Sequence, residues 1–182
     1  AHHPDVRLAY PPAARVSAYA AGLRNGGEGA TVTDCATHVV KPLTAARFAA
    51  IPREGEPAVG ATDSERNPAD PPRSGNWRDL PPHLVPRCLE HNAHRHGDWA
   101  PLFGRLKWGG SFGTILTCPT PFRSTIIHPA ADRELSVREV ARAQGVPDSV
   151  RFCGTLAERF RQVGNAVPVP LARAIGRAIA RA

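Results

Sequence analysis

The first feature with chemical potential is a cluster of possible metal ligands. The cluster comprises Cys88, His91, His94 and His96. Thiolates and imidazoles are donors that zinc prefers, but the spacing C-x-x-H-x-x-H-x-H is not that of a standard zinc finger. The other cysteines, none of them in a C-x-x-C pair, are Cys35, Cys118 and Cys153. We therefore expect reduced thiols in an intracellular protein and no metal site, with a zinc-dependent binding module as an alternative.

Helices in the C-terminal third must position whatever chemistry this region has. Ser136 and Glu139 have the spacing of a capping box, in which each side chain satisfies a backbone N–H of the first turn. Thr155 and Glu158 repeat it, and Gly145 is predicted to end the first of the two helices. A third helix after residue 168 has an apolar stripe that needs a partner surface. The stripe comprises Val167, Leu171, Ile175 and Ile179.

Two strings in this helical region resemble a known family. Residues 133–148 read RELSVREVARAQGVPD, and residues 161–172 read RQVGNAVPVPLA. They resemble the ninth and tenth sequence motifs of the DNA (cytosine-5)-methyltransferases, in the same order and about a dozen residues apart. Val146 departs from the family pattern, which usually has phenylalanine there. In the family the ninth block is mainly structural, so Arg138 is expected to pair with a carboxylate.

The resemblance extends upstream to the maintenance-type branch of the family. Residues 76–81 read NWRDLP, where that branch has DWRDLP. Residues 88–108 contain CLEH, RH, a tryptophan and GRLKW, in the order in which the branch has comparable strings. The resemblance therefore covers residues from about 34 to 182, whereas residues 1–33 match too weakly to use.

The resemblance implies an α/β fold, the C-terminal part of a Rossmann-like methyltransferase that uses S-adenosyl-L-methionine. Residues 1–33 belong to the end of the catalytic domain or the start of the next. Residues 34–132 form a small target-recognition domain of strands and loops, and residues 133–182 are helical and complete the catalytic domain. The tenth motif closes the cofactor pocket in this family, which implies cofactor contacts from the Asn165 side chain and the Val167 backbone. A turn or cap role for Asn165 is the alternative. The apolar stripe is expected to pack on the catalytic sheet.

The maintenance-type resemblance also implies a DNA-recognition surface. An apolar pocket for the 5-methyl group of the parental strand maps onto Cys88, Leu89, Trp99, Leu102 and Phe122. Such a pocket discriminates a methyl group by about 1–3 kcal/mol, which favours hemimethylated sites. The alternative is that these residues form the core of the small domain. Arg105 and Arg123 are expected to face DNA, since arginine binds guanine and phosphate, with a solvated surface position as the alternative.

The residues that perform catalysis in the family are absent from this chain. The family methylates C5 of a flipped-out cytosine after a cysteine thiolate adds to C6, and a glutamate stabilises the adduct. These residues lie in Pro-Cys and Glu-Asn-Val strings, and the sequence contains neither string and no methionine. We expect a piece of a longer enzyme, inactive alone, whose partners are double-stranded DNA and the N-terminal part of the methyltransferase. The alternative is a non-catalytic DNA-binding subunit of a split methyltransferase.

Charge and composition agree with a DNA partner. The net charge of +7 lies in residues 87–182 and suggests a polyanion, although an ordinary arginine-rich helix surface has the same signature. With 19 prolines and 16 glycines, the 182 residues are expected to bury a modest core. No apolar run approaches the ~18 residues of a membrane span, so a membrane partner is not expected. The expected location is the nucleus in a eukaryote and the cytoplasm otherwise.

Local patterns outside the motifs predict a loop and several short elements. Residues 52–75 are rich in proline, glycine and charged residues and are expected to be disordered. Two strands on either side of Gly110 are expected to form a hairpin. The predicted elements are strands at residues 16–21, 30–32, 102–108, 111–117 and 124–127, and a helix at residues 43–51 with Thr44 as its candidate cap.

Overall fold

The computed structural model describes residues 8–9, 18–24, 31–56, 75–90, 102–108 and 110–181. These residues are mostly helical or irregular with little strand, which fits an α/β class. They belong to two compact units. Unit 1 comprises Ala1–Val39, Ile115–Cys118 and Leu135–Ala182, and unit 2 comprises Val40–Thr114 and Pro119–Glu134. None of the helices in the described ranges has the length and apolar character of a membrane span.

Unit 1 contains a short pair of antiparallel strands. Strand β1 (Leu8–Ala9) pairs with β2 (Thr31–Val32), and helix α1 (Ala18–Leu23) lies between them in sequence. The predicted strand at residues 30–32 is confirmed at β2. The predicted strand at residues 16–21 is wrong, because residues from 18 onward form α1. Alanine, the best helix former, occupies three of the six α1 positions, and this local propensity favours helix.

Helices α4 (Val137–Ala143) and α5 (Leu156–Gly164) pack against each other in unit 1. Both predicted capping boxes are confirmed, with Ser136 accepting from the Glu139 N–H and Thr155 from the Glu158 N–H. Gly145 adopts φ +75° after the end of α4, as the predicted helix stop requires. The buried apolar residues of the two helices are Val137, Val140, Ala141, Leu156, Phe160 and Val163.

Helix α6 (Val169–Ile179) follows a proline and has no buried residue. The predicted amphipathic pattern is present, but the apolar side is open in this chain. Val167, Leu171, Ile175 and Ile179 are 50–71% exposed. Burying apolar surface stabilises by roughly 25 cal/mol per Å², so a stripe of this size left in water is a surface available for packing.

Unit 2 is built around one apolar core under short helical elements. Helix α2 (Pro42–Ala50), two single 3₁₀ turns (Trp77–Asp79 and Pro82–Leu84) and helix α3 (Arg87–Glu90) surround it. The expected cap at Thr44 is wrong, since α2 starts at Pro42, the first-turn position that proline favours. The core comprises Phe48, Ile51, Trp77, Leu80, Leu89, Leu102, Phe103 and Ile127. Of the expected loop at residues 52–75, residues 57–74 lie outside the described residues.

The predicted hairpin is also wrong in the described residues. The N–H of Leu106 donates to the carbonyl of Ile127, and the N–H groups of Ile126 and Ile127 donate to the carbonyl of Gly104. The segment around residue 105 thus pairs with residues 126–127, through isolated bridges and not a continuous strand. Phe103, buried and at φ +49°, lies in a turn just before this segment. The predicted strand at 124–127 is reduced to the bridges of Ile127.

Candidate functional site

The loop between α5 and α6, residues 165–168, carries the two residues expected to contact a cofactor. Asn165 is the C-cap of α5, and its backbone N–H donates to the carbonyl of Arg161 at 3.0 Å. Its side chain is exposed. Val167 is 60% exposed. Asn165 therefore serves as the helix cap through its backbone, at an exposed position.

Gln144, just after α4, is hydrogen-bonded to this loop and to the residues on either side of it. The Gln144 side chain is buried, and its Nε2 donates to the carbonyl of Val163 at 3.2 Å and to that of Ala166 at 3.1 Å. Its own carbonyl accepts from the N–H of Val169 at 2.9 Å. The residue thus binds the end of α5, the loop and the start of α6, which fixes the backbone on both sides of Val167.

Gly164 allows a close backbone approach immediately before the loop. A Cβ at this position would lie 2.6 Å from both Cα and N of Thr117. Side-chain atoms are essentially never found that close to a backbone, so a residue larger than glycine forces the segment at residues 115–118 or the end of α5 to move. Glycine here is required by packing in unit 1, since Gly164 itself lies in ordinary helical backbone.

The family resemblance predicts that this loop forms one wall of a cofactor pocket, and that stays a prediction. Binding sites combine apolar surface with a few placed polar groups on a backbone that is already formed. Val167 and Asn165 are both exposed, and the Gln144 hydrogen bonds hold the backbone that carries them. In the described residues, no group of three His, Cys, Asp or Glu side chains is gathered as for a metal ion. His91, His94 and His96 lie outside those residues.

A buried ion-pair network stabilises the region around this wall. Arg138 Nη2 donates to Asp34 Oδ2 at 2.9 Å, and Arg138 also donates to the carbonyls of Thr33, Pro147 and Val150. The expected carboxylate partner of Arg138 is therefore present. Arg142 binds both oxygens of Asp148, at 3.0 and 2.7 Å. Gln144 and Asp148, both within the ninth motif, thus have structural roles: Gln144 holds the α5–α6 loop, and Asp148 supplies a buried carboxylate.

The residues of the expected 5-methyl pocket do not share one environment. Leu89 and Leu102 are buried members of the unit 2 core, which agrees with the alternative that they form the core of the domain. Cys88 is exposed at α3. Phe122 is 43% exposed and packs edge-on against Phe103, with ring centroids 4.7 Å apart. Trp99 lies outside the described residues. The methyl pocket stays a prediction, with Cys88 and Phe122 as its surface members.

The two arginines expected to face DNA have opposite placements. Arg123 is exposed, in a turn closed by its N–H to the carbonyl of Thr120. Arg105 is 1% exposed, so the expectation that it faces DNA does not agree with the structure. Its guanidinium donates to Asp132 Oδ1 at 2.8 Å and to four backbone carbonyls, those of Phe48, Ile51, His128 and Ala131. All its donor nitrogens are used to join three segments of unit 2.

Comparison with known proteins identifies the family. Residues 86–181, just over half of the chain, match the C-5 cytosine-specific DNA methylases. The chain belongs to this family. The matched range includes the ninth and tenth motifs and the α5–α6 loop of this methylase chain, so the resemblance drawn from those motifs is confirmed.

Relatives come from animals and plants. DNA (cytosine-5)-methyltransferase 1 of Mus musculus is 55% identical over 95 residues, which are 51% of this chain and 6% of that protein. DNA (cytosine-5)-methyltransferase PliMCI of Paracentrotus lividus is 50% identical over the same shares. DNA (cytosine-5)-methyltransferase 1A of Oryza sativa subsp. japonica is 45% identical over 126 residues, 62% of this chain and 8% of that protein. The methylase chain thus spans less than a tenth of the length of these relatives.

Sequence reasoning missed the residues that act through long-range contacts. Asp34 is one of them: its carboxylate binds Arg138 and lies 3.3 Å from Nη1 of Arg159. No local pattern distinguishes Asp34 from any other aspartate in a loop. The only available signal for Gln144 was its place inside the ninth motif, next to the helix-ending Gly145.

Proposed function

We propose that this chain is the C-terminal part of a DNA (cytosine-5)-methyltransferase of the maintenance type. The whole protein transfers a methyl group from S-adenosyl-L-methionine to C5 of cytosine in double-stranded DNA, with hemimethylated CpG as the preferred site. It acts in the nucleus, a location that fits relatives from animals and plants. The observation that carries the proposal is the family match over residues 86–181, which includes the ordered α5–α6 loop.

Unit 1 completes the Rossmann-like catalytic domain in this proposal. When bound, S-adenosyl-L-methionine supplies an electrophilic methyl group. Asn165 donates or accepts a hydrogen bond to the cofactor through its side-chain amide, and the backbone at Val167 lines the same wall. The open stripe of α6 packs on the catalytic sheet contributed by the N-terminal part of the protein. Its exposed leucine and isoleucines supply the apolar surface that such a contact needs.

Unit 2 is the target-recognition domain in this proposal. Arg123, exposed on a turn, binds a phosphate or a guanine edge. Phe122 beside it and Cys88 on α3 are the surface members of an apolar site for the 5-methyl group of the parental strand. Such a site discriminates a methyl group by about 1–3 kcal/mol. The expected preference for hemimethylated over unmethylated DNA is therefore roughly ten- to two-hundredfold.

Catalysis itself requires residues outside this chain. None of the four cysteines, Cys35, Cys88, Cys118 and Cys153, follows a proline, and no Glu-Asn-Val string is present. We therefore assign this chain the roles of recognising DNA and closing the cofactor pocket, and we assign thiolate addition and methyl transfer to the N-terminal part.

Methyl transfer to matched duplexes tests the proposal. Three proteins are compared: the 182-residue chain, a longer polypeptide that joins it in frame to Pro-Cys and Glu-Asn-Val segments, and the two parts mixed as separate chains. The expected result is DNA binding without transfer by the chain alone and transfer by the joined polypeptide, faster on hemimethylated than on unmethylated DNA. Equal rates on the two duplexes would remove the maintenance assignment. Transfer by the isolated chain would contradict the assignment of catalysis. If the two separate chains are fully active when mixed and the joined polypeptide is not, the result would support the alternative that this chain is a DNA-binding subunit of a split methyltransferase.

A further inference from the structure

Gln144 is buried in unit 1, where its side-chain amide has two acceptors. Nε2 donates to the carbonyls of Val163 and Ala166 at 3.2 and 3.1 Å, so both amide hydrogens have partners. The residue is 5% exposed, and water does not compete freely for these bonds. The two carbonyls belong to the last turn of α5 and the loop that follows. Carbonyls at a helix end lack partners within the helix; the Val163 carbonyl also accepts from the N–H of Ala166 at 3.1 Å, and Gln144 adds a second donor there and a donor for Ala166.

The backbone of Gln144 makes the third contact. Its carbonyl accepts from the N–H of Val169 at 2.9 Å, at the first residue of α6. One residue therefore holds the chain at positions 163, 166 and 169, on both sides of Asn165 and Val167. Those two side chains are themselves exposed, so the loop is fixed from the interior while its outer side is left for a ligand.

The chemistry of the contact demands a carboxamide. Two donations from one neutral terminal nitrogen need an NH₂ group at the length of a glutamine side chain. A glutamate of the same shape has no donor and would place negative charge against two carbonyl oxygens. A methionine of similar volume fills the space and leaves both carbonyls without this partner.

We propose that Gln144 is a positioning residue for the cofactor: its amide sets the loop at residues 165–168 in the conformation that binds S-adenosyl-L-methionine. The inference rests on the proposed function, since it assigns Gln144 a role at that same pocket wall. It goes beyond the family match because Gln144 itself does not touch the cofactor. Gln144 acts through the loop that carries Asn165 and Val167, which do. A loop held in its bound conformation loses less freedom on binding, and the affinity is correspondingly higher.

The test uses the full-length methyltransferase with Gln144→Met, Gln144→Glu and a control outside both motifs, Glu56→Gln. Glu56 is exposed, and its carboxylate accepts hydrogen bonds from Arg53. Calorimetric Kd values for S-adenosyl-L-methionine and for S-adenosylhomocysteine are measured, and KM for cofactor, KM for DNA and kcat are measured separately. Both Gln144 variants are expected to raise the cofactor Kd and KM by about tenfold or more, while KM for DNA changes less than about twofold. Glu56→Gln is expected to leave all of these values unchanged.

A double-mutant cycle with Asn165→Ala separates positioning from a general loss of structure. If Gln144 acts through the loop, the effects of Gln144→Met and Asn165→Ala on cofactor Kd are less than multiplicative. Independent, fully multiplicative effects would overturn the inference, as would Kd values of the Gln144 variants equal to that of the wild type. A wild-type protein that binds no cofactor at all would instead overturn the proposed function.

Hydrogen exchange of the wild type decides the matter if the variants do not fold. The inference expects the N–H groups of Ala166 and Val169 to be protected in the free protein, because the loop is already fixed before cofactor binds. Cofactor is expected to add little further protection at these two positions. Rapid exchange in the free protein that becomes slow only with cofactor would show that the cofactor and not Gln144 orders the loop, and would overturn the inference.

Discussion

Asp34 Oδ2 accepts a hydrogen bond from Arg138 Nη2 at 2.9 Å, between residues 104 positions apart in sequence, and both side chains are almost fully buried. Asp34 adopts φ +62°, a conformation that aspartate and asparagine tolerate better than most residues. Its second oxygen lies 3.3 Å from Nη1 of Arg159. The loop that follows β2 is thereby joined to α4 and α5 by ion pairs.

Replacing Asp34 by asparagine is expected to lower the free energy of unfolding of unit 1 by about 3 kcal/mol. The change keeps the side-chain size and the tolerance of positive φ, but it removes the nearer counter-charge of the buried Arg138 guanidinium. The remaining carboxylate, that of Asp148, is 3.8 Å away and is shared with Arg142. Chemical denaturation followed by circular dichroism measures the effect. The control is Glu56→Gln at the exposed Arg53–Glu56 pair, where a much smaller change is expected. An Asp34→Asn protein as stable as the wild type would show that the pair is not needed for stability.

Arg105→Lys is expected to destabilise unit 2 by about 3 kcal/mol or more, with little direct effect on DNA affinity. A lysine ammonium cannot reach the four carbonyls and the Asp132 carboxylate that the guanidinium fork engages. Arg123→Ala is the matched variant, because Arg123 is exposed. It is expected to change stability by less than about 0.5 kcal/mol.

The DNA affinity of the Arg105→Lys and Arg123→Ala variants is measured for one duplex at several salt concentrations. Loss of one phosphate contact in Arg123→Ala is expected to reduce the slope of log K against log salt by about one. Folded Arg105→Lys protein is expected to keep the wild-type slope. The opposite pattern, a stable Arg105→Lys variant with a reduced slope, would restore Arg105 as a DNA-contacting residue.

The capping box of α5 makes a prediction about acid pH. Hydrogen bonds from the Thr155 N–H and then from its hydroxyl hold the pKa of Glu158 below its usual value. On acidification the unfolded chain therefore takes up this proton before the folded chain does. The stabilising contribution of Glu158 is complete above the usual glutamate pKa and is lost as the pH falls through the lowered folded-state value.

Thr155→Val is expected to raise the pKa of Glu158 part of the way back, because it removes the hydroxyl donor and keeps the backbone donor. Titration of the Glu158 carboxyl carbon by NMR measures the pKa directly. Thr155→Ser keeps the hydroxyl and is expected to keep the lowered pKa. Identical titration curves for the valine and serine variants would contradict a role for the hydroxyl.

Two glycines give opposite predictions for the same substitution. Gly164→Ala is expected to destabilise by roughly 1–3 kcal/mol, since its Cβ would lie 2.6 Å from backbone atoms of Thr117. Gly176→Ala is expected to stabilise α6 by about 0.5–1 kcal/mol, because nothing lies within 4 Å of its Cβ and alanine is the better helix former. Thermal unfolding of both variants tests this. A Gly164→Ala protein as stable as Gly176→Ala would mean that residues 115–118 move away at no cost.

The elements that the sequence predicted well are those whose signals are local. The capping boxes at Ser136 and Thr155 join residues three positions apart, so their geometry follows from the sequence alone. The stripe of α6 follows from helical periodicity in the same way. The family was also readable from sequence, because the ninth and tenth motifs have a fixed order and spacing of many residue types at once.

The sequence determined the ends of α4, the caps of α4 and α5, the amphipathic α6 and membership of the methylase family, because these depend on neighbours in the chain or on whole motifs. Only the tertiary structure decided that Arg105 is a buried connector and that Gln144 holds the α5–α6 loop. Apart from the Asp132 carboxylate, their acceptors are backbone carbonyls up to 57 residues away, and a carbonyl has no residue type that a sequence pattern can reveal. The predicted hairpin is absent from the described residues because long-range contacts replace it. Residues 104–106 bind residues 126–127, and the burial of Phe103 and Ile127 outweighs the local turn signal.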